Sequence, residues 1–360
     1  MIEQAIRIGT FANIPVRIHW SFLLIIAYIV SVGVMDQNSS REILIQICFT
    51  MAMFACVVLH EFGHALTARR FGVQTEDIIL LPIGGVARLH KLPEKPVQEL
   101  LIAVMGPVVN LIIAIVILIA LWMKYGSDTG AYLETENYEH FSWGIFLPLL
   151  MISNILLMVF NLIPAFPMDG GRVLRALLSM KTSRLNATRW ATRIGQIICI
   201  LFIIAGIYFE AWTTILIGIF IFLSASAEYR QVAREAAYKN KTAAALCRKP
   251  GLMLTEYISI GEAREMVMQS GQRNFAVMDI TGRITGTVSA SMIGKAFKEN
   301  SDVRIKDIMH TPPAVLMGFD EVLHAIQYLE QGIPAILVFD HEQLTGLIDL
   351  DSIRAAQELG

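Results

Sequence analysis

The chain has 360 residues, of which 55% are hydrophobic and 17% charged, with a mean hydropathy of +0.56. That balance is a membrane protein's and argues against a wholly soluble chain. The net charge of −2 points to no nucleic-acid partner, and Cys48, Cys56, Cys199 and Cys247 form no C-x-x-C pair, so neither a disulfide framework nor a thiolate metal site is indicated.

Six apolar runs follow in chain order, at 20–35, 43–68, 97–123, 144–162, 194–209 and 211–225. The second, third and fourth are long enough to cross about 30 Å of hydrocarbon at about 1.5 Å per residue, and the others are marginal alone. The last two, separated only by Glu210, are read as a hairpin rather than one long element. The expected fold class is a polytopic α-helical membrane protein with about six transmembrane helices. Basic residues precede the first run (Arg7, Arg17), follow the second (Arg69, Arg70, Arg88, Lys91, Lys95) and follow the fourth (Arg172, Arg175, Lys181, Arg184, Arg189, Arg193). The loop after the third run instead carries Asp128, Glu134, Glu136 and Glu139 against Lys124. The basic regions and both chain ends are therefore expected on the cytoplasmic side of the cell membrane. No cleavable signal peptide is expected, because the first apolar run starts late and SVGVMDQ lacks a small-x-small site.

The second run ends in VVLHEFGHALTARRFG, residues 57–72. His60 and His64 are four residues apart, so a helix projects both imidazoles from one face, close enough to share one Zn²⁺ at about 2.0–2.1 Å. Glu61 lies beside that position, where the glutamate of an H-E-x-x-H peptidase takes a proton from water and delivers it to the leaving amine. The competing reading is a chance pattern in which the histidines cap or pack a helix end. A catalytic zinc takes three protein ligands, so a third must lie elsewhere.

Asp169 is the only carboxylate between Glu139 and Glu210 and lies beyond the same membrane face as the histidines, within FNLIPAFPMDGGRVL at 160–174. It reads equally as a ligand and as the first residue of an Asp-Gly turn. Asn161 can hydrogen-bond a neighbouring helix, and Pro164 can kink one.

Four motifs in order, HEFGH at 60–64, LLPIGGVARL at 80–89, GPVVN at 106–110 and FNLIPAFPMDGGR at 160–172, resemble the intramembrane site-2 zinc metalloproteases over about residues 1–225. The resemblance implies a zinc endopeptidase with one Zn²⁺ per chain held by His60, His64 and Asp169, and with Glu61 as catalytic base. Its N-x-x-P-x-x-x-x-D-G pattern falls on Asn161, Pro164, Asp169 and Gly170. Asn161 then has a second reading, polarising the scissile carbonyl or holding the substrate strand, beside helix packing. Asn110 and Asn154 have the same two readings and are taken as packing residues. The segment ILLPIGGVARL is read as a short hairpin whose edge pairs with an unwound substrate, which makes Gly84 and Gly85 candidate substrate-binding residues, and Pro164 of the N-x-x-P pattern is a third. The alternative is a surface hairpin turn.

After the charged stretch EAAYKNKTAA the chain contains an internal repeat. SGQRNFAVMDITGRITGTVS at 270–289 aligns with QGIPAILVFDHEQLTGLID at 331–349, matching Gly271 to Gly332, Val277 to Val338 and Asp279 to Asp340. Each copy shows an amphipathic helix, an apolar strand, an acidic turn and a second strand, and the pair resembles a soluble α/β tandem CBS domain. The expected division is 1–225 for the protease, 226–242 for a linker and 243–360 for a cytoplasmic CBS pair. The resemblance implies an adenine nucleotide in the cleft between copies, or dimerisation of two chains. In the G-h-h-[ST]-x-x-D signature, however, Met292 and Ser352 stand at the acidic positions, which puts ribose recognition in doubt.

The expected partners are thus the lipid bilayer, a transmembrane protein or peptide as substrate, a second copy and an adenine nucleotide. A CBS-regulated channel or transporter is a rival reading that has no need of H-E-x-x-H, and an inactive scaffold is another, although all four residues of the expected centre are present. His60 precedes Arg69 by nine residues, so on a continuous helix the chemistry lies roughly 13 Å along the axis from the first basic residue, in the cytoplasmic third of the bilayer.

Overall fold

The computed structural model describes residues 5–82, 84–89, 95–130, 132, 142–239, 241–300, 302–341 and 343–358. Lys91, Glu134, Glu136 and Glu139, used above to orient the loops, lie outside the described residues, as does Ile83 of the glycine hairpin. The chain divides into two compact units, Met1–Val232 and Ala233–Gly360.

The first unit opens with a β-hairpin that the sequence reading did not anticipate. Strands β1 (Ala5–Phe11) and β2 (Ile14–His19) pair antiparallel. Their two-residue turn sets Ala12 at φ 48° and Asn13 at φ 62°, the left-handed pair that matches strand twist. After α1 (Phe22–Met35) and α2 (Ser40–Arg70), β3 (Thr75–Leu81) joins parallel to β2, and β4 (Gly84–Leu89) pairs antiparallel with β3. The sheet order β1-β2-β3-β4 leaves β4 at an edge. Ile14 and Ile78 of this sheet pack with Ala65 of α2.

The helices continue as α3 (Pro96–Tyr125), α4 (Trp143–Asn161), α5 (Asp169–Ser179), α6 (Arg184–Tyr208) and α7 (Trp212–Tyr238). Helix α2 begins in a reciprocal capping box between Ser39 and Glu42 and ends in Arg69 and Arg70, whose charges complement its dipole. Proline at the first position of α3 needs no amide partner there. Each of the six apolar runs forms a helix, and five of these helices are long and apolar enough to cross a membrane. The fifth and sixth, marginal by their apolar runs alone, reach that length because α6 begins in the basic stretch at Arg184 and α7 continues to Tyr238. The first, Phe22–Met35, is the short one. The hairpin reading of 194–225 holds: Gln196 donates to Ser226 across α6 and α7, and Gly218 lies against the Cys199 carbonyl. The chain is a multi-pass membrane protein.

The second unit repeats one design twice. After α8 (Ala243–Leu246), the first copy runs β5 (Leu254–Thr255), α9 (Ile260–Ser270), β6 (Asn274–Met278), β7 (Ile284–Ser289) and α10 (Ala290–Glu299). The second runs β8 (Val315–Met317), α11 (Val322–Glu330), β9 (Ile336–Asp340), β10 (Gln343–Ile348) and α12 (Leu350–Glu358). Each sheet has one parallel and one antiparallel pairing in the same order. Gly271 and Gly332, matched in the sequence, both follow a helix with positive φ, +65° and +90°, as a left-handed helix stop requires. The segment before each copy bridges the last strand of the other, Arg248 with Leu347 and His310 with Thr287. Within 226–242, the stretch read as a linker, helix continues to Tyr238, which is buried in the core of this second unit with Val322, Ile336 and Ile348.

Candidate metal centre

Helix α2 places His60 and His64 one turn apart, and Asp169 opens α5, reached from α4 through residues 162–168. All three are buried. Asp169 Oδ2 lies 3.2 Å from His60 Nε2 and 3.2 Å from His64 Nε2, and the two Nε2 atoms are 3.1 Å apart. This is the one cluster of three or more ligating side chains among the described residues.

The outward nitrogens decide what that triangle is. His64 Nδ1 lies 2.7 Å from the Ile102 carbonyl oxygen, which only accepts, so Nδ1 carries the proton and Nε2 a bare lone pair. His60 Nδ1 likewise faces Asn110 Oδ1 at 3.1 Å. With both rings neutral, three acceptors converge in a buried space, and a cation placed among them resolves their repulsion. Tetrahedral donors at about 2.0–2.1 Å from zinc stand about 3.3 Å apart, close to the observed triangle. Two imidazoles and one carboxylate, each imidazole held through its second nitrogen, are a donor set that fits zinc.

Space for an ion beside α3 depends on Gly106, where a Cβ would sit 2.2 Å from His64 Nε2 and 2.7 Å from His60 Nε2. Next to it, Pro107 removes the amide that would bond the Ala103 carbonyl, one residue beyond the Ile102 carbonyl that meets His64. Gly85 is the second close approach. A Cβ there would lie 2.8 Å from Glu61 Cγ and 3.0 Å from Val57 Cγ1, so β4 runs directly over the glutamate. Asp77, buried on β3, holds Arg88 of β4 through two hydrogen bonds of 2.6 and 2.5 Å, which fixes that strand to its neighbour.

The structure thus brings His60, His64 and Asp169 together and sets Gly85 against Glu61. Gly84 begins β4 at φ +137° with open space around it. Asn161 is the half-buried last residue of α4, and Pro164 is exposed in the segment that follows. Asn154 is buried and donates to the Leu150 carbonyl of its own helix. Asn110 meets a neighbouring helix, its amide oxygen facing His60 of α2, and so also orients a candidate ligand. The sequence reading also left Gly106 and the Ile102 carbonyl without a role. GPVVN was the available signal, but only the approach of α3 to α2 turns its first and last residues into neighbours of the histidines.

The family model of peptidase family M50 matches residues 48–205, and that of the CBS domain matches 305–358. A zinc metalloprotease of Methanocaldococcus jannaschii is 31% identical, covering 99% of this chain and 97% of its own. Stage IV sporulation protein FB of Bacillus subtilis is 25% identical over 50% of this chain and 58% of its own. Among solved structures, a site-2 protease from Methanocaldococcus jannaschii matches with 35% identity and a TM-score of 0.46, over 62% of this chain and 95% of that one.

Proposed function

This chain belongs to peptidase family M50, and from that premise we propose that it hydrolyses peptide bonds within or beside transmembrane segments of membrane-protein substrates, using His60, His64 and Asp169 as zinc ligands and Glu61 as general base. That it is a membrane zinc metalloprotease follows from the relatives. The finer reading rests above all on two imidazole nitrogens and one carboxylate oxygen that converge, buried, within 3.2 Å of one another.

Zinc held there supplies Lewis acidity, polarising an amide carbonyl and making water nucleophilic near neutral pH. Glu61 accepts the proton of the attacking water and returns it to the leaving nitrogen. Ile102 and Asn110 keep the two imidazoles in the tautomer that ligates. The substrate backbone must be extended to present one amide to this site. We assign it to the free edge of β4, where strand addition carries a peptide past Gly84 and Gly85 and over Glu61. Asn161, at the end of α4, is assigned to the scissile carbonyl, and Pro164 to the wall of the substrate path.

Helix α2 is continuous from His60 to Arg69, so with the basic ends cytoplasmic the cut falls in the cytoplasmic third of a substrate span, near helix-weakening residues. The CBS pair is assigned to regulation on the same side, through dimerisation or a nucleotide. Its cleft of about 350 Å³ is lined by Arg248, Lys249, Arg273, Asn274 and Asp349. Ser352, at the signature's acidic position, is instead engaged in a reciprocal cap with Asp349, which disfavours ribose binding by that residue.

The test is Glu61→Gln in the full-length protein with a membrane-spanning substrate. The expected variant retains zinc and loses cleavage, and near-parental cleavage would refute the assignment of the base. Mass spectrometry of the parent's products should place cuts at the cytoplasmic end of the span.

A further inference from the structure

Arg175, on α5, is fully buried. Its Nε donates to Glu99 Oε1 at 2.7 Å, its Nη2 lies 2.6 Å from the same oxygen, and its Nη1 donates to Glu228 Oε1 at 2.5 Å. The guanidinium carbon stands 5.0 Å from the centre of the Phe166 ring. One side chain therefore ties four segments: the first turn of α3 through Glu99, α7 through Glu228, its own helix, and the connection that leads into Asp169.

Helix α5 has 11 residues and is too short to hold itself in place without packing. Its first turn sits on the connection with no room for side chains. A Cβ on Gly170 would lie 2.2 Å from the Ile163 carbonyl oxygen, and one on Gly171 2.7 Å from the Phe166 nitrogen. The connection and α5 thus move together, and Arg175 fastens them to α3. That same helix carries Ile102 and Asn110, which face His64 and His60. The distance between Asp169 and the two histidines is accordingly set through Arg175 and both of its anchors, Glu99 and Glu228. A buried ion pair is weak evidence for stability, since well-packed apolar replacements often serve as well, and fixing one arrangement is its best-attested use.

We propose that Arg175 is a positioning residue for the metal centre: anchored by Glu99 and Glu228, it holds α5 so that Asp169 stays in register with His60 and His64. The purpose of this seat rests on the zinc reading above; the seat itself can be measured without metal.

The experiment uses full-length protein with two substitutions. Arg175→Lys keeps the charge and loses the planar fork, while Glu228→Gln leaves the buried Arg175–Glu99 pair in place and carries the test if the first variant fails to fold. Hydrogen exchange of the 163–175 peptide in metal-stripped protein should be on the order of tenfold faster in the variants, with α3 and α4 unchanged. Competition with a chelator should show zinc held about 10–100-fold more weakly, and the cobalt-substituted protein should show a shifted visible spectrum. Zinc-saturated variants should lose kcat with KM retained. Parental exchange at 163–175, or faster exchange with parental zinc affinity and cobalt spectrum, would overturn the proposal while leaving the zinc reading intact. A parent protein that holds no zinc would instead overturn the zinc reading, and with it the purpose assigned to the seat.

Discussion

Along α3 of the first unit, Leu111, Ile112, Ile115, Val116 and Ile119 face outward and are 40–59% exposed, while Glu99 and Asn110 are buried on the same helix and Asp169 and Arg175 are buried on α5. In the second unit Ile260, Phe275, Val277, Val288 and Ile336 are fully buried, and charges such as Arg273, Asp279 and Lys298 lie at the surface. The second pattern is hydrophobic burial driven by water. The first is what lipid permits: apolar side chains gain little by leaving hydrocarbon, so small residues and satisfied polar groups specify which helices meet. A buried polar residue in the first unit should accordingly affect the chemistry, and a buried apolar residue in the second the fold.

Four substitutions would sharpen or break that contrast. The largest effect is expected of Glu61→Gln, which leaves the three ligands in place and should lower cleavage by about 10³-fold or more with zinc retained, since base and metal act as one unit. Gly106→Ala should come next, because its methyl group would occupy the space between the imidazoles. Loss of zinc by more than about 100-fold in affinity, measured by chelator competition, is the expected outcome. Asn110→Ala should weaken zinc by about 10–100-fold through the freed His60 ring and reduce activity at limiting zinc. In the second unit Phe275→Ala should leave zinc affinity unchanged and destabilise that unit by about 3–5 kcal/mol, read by denaturant-dependent hydrogen exchange of β6 and β7. Equal loss of zinc from Phe275→Ala and Asn110→Ala would erase the contrast.

What could be read in the sequence followed from distance along the chain. His60, Glu61 and His64 share a single turn and a half of helix, so their grouping is visible from spacing alone. Asp169 is 105 residues from His64 and was reachable only as an isolated carboxylate beyond the same membrane face, or through the family's motif. The repeat was visible because its glycines stop equivalent helices. Nothing local marks Arg175, whose partners Glu99 and Glu228 are 76 and 53 residues away and which lies among other arginines that merely look cytoplasmic. The first hairpin was missed for a different reason: its turn is Ala12-Asn13 rather than a glycine-containing pair, so the positive φ of Ala12 has no sequence signal. The reach of α6 and α7 beyond their apolar runs was hidden by the charges that begin one and end the other.

The central claim is that two imidazoles and one carboxylate, drawn from α2 and the start of α5, hold a single zinc. X-ray absorption at the zinc edge of the purified full-length protein, compared with its Asp169→Ala variant, tests this most directly. The parent should carry about one zinc with two imidazole nitrogens and oxygen at about 2.0–2.1 Å and no sulfur, and the variant should lose or reorganise that shell. A sulfur shell at about 2.3 Å, or an unchanged spectrum and affinity in Asp169→Ala, would contradict it.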